Sequence, residues 1–152
     1  MDTRPHLTGL SLETNLPYLL AQASALASLQ IDDLARSVGL SRNETKTILS
    51  LISNGGRDGG HTLNELADIM MVKQSTLSRV VDGMVNDGFL KRRTALEDRR
   101  TVNITLTAKG RWQAGVLADH ARSMEDKFKS KLGEQESTSL MTLLNLVINR
   151  LK

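Results

Sequence analysis

Six polar side chains fall within the nine residues from Gln74 to Asp82: Gln74, Ser75, Thr76, Ser78, Arg79 and Asp82. Among and beyond them, Leu77, Val80, Val81, Met84 and Val85 recur at helical spacing. The segment therefore reads as an amphipathic helix with one apolar and one polar face. The polar face offers hydrogen bonding rather than catalysis. Gln can pair with adenine, Arg with guanine, and Ser or Thr with base edges or phosphates. A Ser/Thr-rich face is also ordinary solvent surface, so its surroundings matter.

Between Lys91 and Arg100 stand five basic residues, Lys91, Arg92, Arg93, Arg99 and Arg100, against Glu97 and Asp98. This stretch carries a net charge of +3, as much as the whole 152-residue chain. A lone charge run is usually a solvated loop, but next to a polar helix face it suits phosphate contact. The candidate base contacts are Gln74, Ser75, Thr76, Ser78 and Arg79. The candidate phosphate contacts are Lys73, Arg92, Arg93 and Thr94, which position a protein on a duplex and carry little sequence information.

Other chemistries find little support. There is no cysteine, which excludes disulfides, thiolate metal sites and thiol redox sensing. His6, His61 and His120 are widely separated, so no metal site or cofactor is expected, and His61, just after a glycine-rich stretch, reads as exposed. No glycine-rich phosphate loop follows a strand and no nucleophile–base spacing is recognisable, so no catalytic residues are assigned and no enzyme is expected. Met1–His6 has mixed charge with no apolar core directly behind it, and no apolar run approaches the ~20 residues of a membrane span. A cytoplasmic protein without a membrane partner is expected.

The elements that must position these side chains follow from periodicity and caps. Asn15 and Pro17 open a first helix that Gly39 ends. Ser41 and Glu44 have capping-box spacing for a second helix, with Ile48, Leu49 and Ile52 as its apolar face. The glycine-rich stretch 54–60 breaks the chain. Thr62 caps a helix from Leu63 to Met70, and a turn at Val72-Lys73 leads into the polar-faced helix, which Gly88 closes. This pair is a helix-turn-helix. The period then changes to two, and Leu90–Arg93 and Val102–Leu106 read as a two-stranded hairpin. Thr107 caps a long helix with Trp112, Val116, Leu117, Ala121, Met124 and Phe128 facing inward. After Gly133 a last helix carries Leu140, Leu143, Leu144, Val147, Ile148 and Leu151. The fold class is mainly α with a small β-hairpin wing, one domain over residues 1–152.

The run Asp98-Arg99-Arg100-Thr101-Val102-Asn103-Ile104-Thr105-Leu106-Thr107-Ala108-Lys109-Gly110 closely resembles the wing signature of the MarR family of transcriptional regulators. That signature is aspartate–any–arginine followed by leucine–threonine–any–any–glycine. Gly39-Leu40-Ser41, the segment Ser75–Asp82 and Leu132-Gly133-Glu134-Gln135-Glu136 are similar to the family pattern too.

The resemblance implies a winged helix-turn-helix regulator over residues 41–107, with dimerisation helices in 1–40 and 108–152. It places the wing arginine at Arg100, with Arg99 beside it, and gives Asp98 the role of holding an arginine in place. Asp98 could instead turn the loop through an Asx bond. An arginine at a hairpin tip can reach the narrow minor groove while the helix occupies the major groove. The resemblance further implies a homodimer on a pseudo-palindromic operator, acting as a repressor. It implies a small aromatic or phenolic effector, for which Tyr18, Arg42, Trp112 and Met124 are the candidates. Leu7, Leu10 and Leu12, ahead of the first helix, add to the apolar surface of the ends. A nonspecific nucleoid-type DNA binder and a winged-helix protein–protein contact module remain the alternatives.

Overall fold

The computed structural model describes residues 11–53, 60–94 and 101–151. After a 3-10 turn at Leu12–Thr14 the elements are α1 (Leu16–Ser37), α2 (Arg42–Ile52), β1 (His61–Thr62), α3 (Leu63–Met70), α4 (Gln74–Asn86), β2 (Leu90–Thr94), β3 (Val102–Leu106), α5 (Ala108–Leu132) and α6 (Glu134–Leu151).

Side-chain caps set four of the helix starts. Asn15 accepts from the Tyr18 amide, with proline in the first turn of α1. Ser41–Glu44 and Thr62–Glu65 each close a reciprocal capping box at α2 and α3. Thr107 accepts from the Gly110 amide at α5. Caps of this type each contribute about 1 kcal/mol. Gly39, at φ 71°, follows the end of α1, and Gly133, at φ 94°, separates α5 from α6.

The core lies where the short helices meet the sheet. Ile48 of α2, Leu66 of α3, Val81 and Met84 of α4 and Leu117 of α5 are fully buried, with Leu90 and Ile104 supplied by the strands. On α2 the buried face also takes in Leu51 and the hydroxyl residues Thr45 and Thr47, while Leu49 and Ile52 sit at its margin. Thr47 returns its hydroxyl proton to the Asn43 carbonyl at 2.7 Å.

Three readings of the sequence are corrected. The sheet has three strands in the order β1-β3-β2, because His61 and Thr62 pair antiparallel with Ile104 and Asn103. His61 is consequently buried, 8% exposed, rather than loop-exposed. Gly60 permits this approach: a Cβ there would lie 2.2 Å from the Ile104 carbonyl oxygen. Trp112 does not face inward and is 69% exposed. The buried stripe of α5 runs through Gly110, Gln113, Ala114 and Leu117, so Trp112 stands off it, and Phe128 is exposed further along.

The terminal helices are only lightly buried by their own chain. Leu16, Leu26 and Leu29 of α1 and Leu140, Leu143, Leu146, Ile148 and Leu151 of α6 are exposed. No described helix is long and apolar enough to cross a membrane.

Candidate nucleic-acid interface

The turn between α3 and α4 is held by the end of α3. Met71 adopts a left-handed conformation (φ 53°), and the Val72 amide donates to the Ala67 carbonyl at 3.1 Å. The turn presents Lys73 as the N-cap of α4, exposed and making no side-chain capping bond. The positive end of the α4 dipole is thus left without a side-chain acceptor, which favours an anion there.

Leu77, Val81 and Met84 anchor α4 in the core. This fixes the opposite face. Ser75, Thr76 and Arg79 are exposed on it, Gln74 is exposed one turn before Leu77 at the start of the helix, and Ser78 is half-buried. Four of the five candidate base contacts are therefore presented to solvent, and Ser78 is partly withdrawn.

Strand β2 runs alongside. Its pairing with β3 matches Leu90 to Leu106, Arg92 to Ile104 and Thr94 to Val102. Strand alternation puts Leu90, Arg92 and Thr94 on the face toward the helices and Lys91 and Arg93 on the other. Leu90 is buried, and all four residues after it are exposed. Arg92 reaches the recognition-like helix and donates from Nη2 to Asp82 Oδ1 at 2.7 Å. This pairing joins α4 to the wing. The sequence marks Asp82 only as part of the polar face; its role depends on a partner ten residues away on another element.

The base of the wing shows why leucine–threonine–any–any–glycine recurs as Leu106 to Gly110. The Thr107 amide donates to the Phe89 carbonyl at 3.0 Å, and the Thr107 hydroxyl donates to the Gly88 carbonyl at 2.6 Å. A Cβ on Gly110 would lie 2.1 Å from the Phe89 carbonyl oxygen. Only glycine lets α5 start so close to the end of α4. Lys109 closes the joint, donating to the Asp87 carbonyl at 2.7 Å with its ammonium 4.1 Å from the centre of the Phe89 ring. Phe89 and Lys109 were not picked out from the sequence for this role. Asp98, Arg99 and Arg100, like Leu7 and Leu10, lie outside the described residues.

The effector candidates are dispersed. A cavity of about 400 Å³ between α1 and α5 is walled by Leu34, Met124 and Phe128, with His120, Lys127 and Lys131 among its polar lining. Met124 is on its wall; Tyr18, Arg42 and Trp112 are not among the lining residues. Arg42 instead forks onto Asp32 of α1 through Nε and Nη2. That side-chain hydrogen bond holds the Asp32 carboxyl below its ordinary range and pushes the Arg42 guanidinium up.

The MarR family model matches residues 45–102, from within α2 to the first residue of β3. The HTH-type transcriptional regulator PecS of Dickeya dadantii (strain 3937) is 30% identical over 129 residues, covering 84% of this chain and 76% of that protein. The chain belongs to the MarR family. That family comprises transcription regulators, not enzymes. Matches to two other curated relatives span 62% and 64% of those proteins' lengths, less than two thirds of each. Among solved structures, the MarR family transcriptional regulator SPO1453 from Silicibacter pomeroyi DSS-3 is 28% identical with a TM-score of 0.80, covering 95% of this chain and all (100%) of that one. A second MarR-type fold is that of S. aureus MepR, solved as a DNA complex, at 21% identity and a TM-score of 0.77, covering 93% of this chain and 100% of that one. It shares the winged-helix fold seen here.

Proposed function

We propose that this protein is a sequence-specific DNA-binding repressor that acts as a homodimer on a pseudo-palindromic operator. One observation carries this: α4, anchored in the core, presents Gln74, Ser75, Thr76 and Arg79 outward while its Asp82 is tied to Arg92 of the wing. A protein–protein contact module needs no polar helix face registered to a cationic strand. In the proposed complex, residues 41–107 form the DNA-binding lobe. The N-terminal part of α4 enters the major groove. Lys73, Arg92, Arg93 and Thr94 meet phosphates. By the sequence motif alone, Arg100 and Arg99 enter the minor groove and Asp98 holds an arginine, Arg100 or Arg79, in place.

The dimer is proposed from segments 1–40 and 108–152, supported by the exposed leucines of α1 and α6. Apolar surface left in water at this density is favourable to bury, at roughly 25 cal/mol per Å². A two-fold arrangement sets half-sites about 10 base pairs apart. A cytoplasmic location accords with that role. Release by a small ligand is also proposed, with the α1–α5 cavity at Met124 as its site.

The test is selection of bound sequences from a random DNA pool at near-physiological salt. Enrichment of a pseudo-palindrome with half-sites about one helical turn apart is expected. Retention without enrichment would indicate a nonspecific nucleoid-type binder, whose affinity falls steeply with salt. No retention would favour the protein-contact module.

A further inference from the structure

Asp32 and Arg42 face each other across the bend that joins α1 to the DNA-binding lobe. Arg42 is the first residue of α2, and Cβ vectors in a helix tilt toward its N-terminus, so its side chain is directed back toward α1. The guanidinium meets both carboxylate oxygens, Nε donating to Oδ1 and Nη2 to Oδ2. A planar fork on a carboxylate fixes direction as well as distance. The other ion pairs formed by the α1 and α5 residues Arg36, Arg122 and Lys129 stay within one helix. The Asp32–Arg42 pair instead spans two elements.

The bend turns at Gly39, whose amide donates to the Arg36 carbonyl at 3.2 Å. Gly39 sits at φ 71°, and a Cβ there would meet nothing within 4 Å. Neighbouring backbone is held, with the Leu40 amide on the Ala35 carbonyl at 2.9 Å and the capping box of Ser41 and Glu44 starting α2. Packing at Gly39 does not brace the joint on its open side.

We propose that the Asp32–Arg42 pair is a positioning strut that sets the angle between α1 and the DNA-binding lobe, and thereby the spacing of the two recognition helices in the dimer. This rests on the dimeric, DNA-binding function proposed above. A lobe of about 65 residues is roughly 25 Å across. A pivot of ~10° at its edge moves the far face by ~4 Å, which is close to the rise of one base pair, about 3.4 Å. A small change at the bend is therefore read as a change in preferred half-site spacing. Both groups are charged at neutral pH, as ordinary aspartate and arginine side chains are.

The experiment uses the operator recovered by selection, with the half-site separation varied one base pair at a time. Binding is measured for the full chain and for Asp32→Asn, Arg42→Gln and the exchanged pair Asp32→Arg/Arg42→Asp. Dimer mass and thermal unfolding are followed in parallel. Both single variants are expected to remain folded dimers yet lose spacing discrimination by about two- to fivefold, the range of an exposed pair. The exchanged pair is expected to restore it. Single variants with the unaltered spacing profile would overturn the strut. So would an exchanged pair that fails to restore it, since the residues would then act through packing. If the unaltered protein itself shows no spacing preference, the dimeric function fails, and the strut with it.

Discussion

Arg92 Nη2 lies 2.7 Å from Asp82 Oδ1, joining the first wing strand to the recognition helix. Both side chains are roughly half exposed, at 43% and 53%, so the pair adds little to folding, about 1 kcal/mol or less. Its consequence is positional. It puts a negative charge on a face proposed to meet phosphates and uses it to aim a cation. Asp82→Asn should leave the unfolding midpoint nearly unchanged. It should strengthen binding to random duplex DNA, because a negative charge is lost, without strengthening operator binding. The ratio of specific to nonspecific affinity, measured at fixed salt, should fall severalfold. A ratio that stays constant would reduce the pair to surface decoration.

Arg79 lies exposed on the same helix face as Ser75 and Thr76. If it reads a base, Arg79→Ala should relax preference at one position per half-site, by ~1–3 kcal/mol. Binding to a panel of singly substituted operators measures this. An equal loss across the panel would make Arg79 a phosphate contact.

Gly83 and Gly110 should respond to alanine with opposite signs. At Gly110 the added methyl would sit 2.1 Å from the Phe89 backbone carbonyl, which has no rotamer to give way. Gly110→Ala should destabilise by about 2–3 kcal/mol through overpacking. At Gly83, inside α4, nothing lies within 4 Å. Gly83→Ala should stabilise by about 0.5–1 kcal/mol by restricting the unfolded chain. Urea denaturation separates the two.

What the sequence showed and what it hid divide along physical lines. The caps at Asn15, Ser41, Thr62 and Thr107 were legible because each bond closes within three residues. The polar face of α4 was legible because Leu77, Val81 and Met84 mark the opposite side. Strand β1 was not: two residues cannot display an alternation, and a histidine after glycines looks like loop. Trp112 was misplaced because hydrophobicity suggested an inward side chain, whereas the close approach of Gly110 to Phe89 sets which side of α5 is buried. The Asp82–Arg92 and Asp32–Arg42 pairs each bridge two elements, and no local pattern encodes such a meeting.

The Asp32–Arg42 pair also predicts a dependence on acid. The hydrogen bond from Arg42 lowers the Asp32 pKa in the folded chain relative to the unfolded one. As pH falls, the unfolded chain therefore takes up the proton first. The contribution to stability is complete above the ordinary aspartate value, about 3.9, and is lost as pH falls below it through the depressed folded value. Unfolding midpoints of the full chain and of Asp32→Asn should differ by a constant amount from pH 7 to about pH 5 and converge under more acidic conditions. A gap that widens with acid would contradict the assigned direction.

The exposed leucines of α6 distinguish packing within one chain from packing between two. Leu143 is 58% exposed although it lies on an amphipathic helix among Leu140, Leu144 and Val147. In a monomer, Leu143→Glu should be harmless, since the side chain is already in water. In the proposed dimer the same change buries a charge without a partner, which outweighs the roughly 1.5–3 kcal/mol that burying a leucine contributes. Light scattering should show the variant shifted to the mass of one chain, with helical content retained in circular dichroism. Operator affinity should drop toward that of a single half-site, because two tethered lobes bind with an avidity that one lobe lacks. A variant that keeps the dimer mass would move the interface off this face of α6. The exposed leucines of α1, Leu26 at 65% and Leu29 at 60%, would then be the next positions to charge.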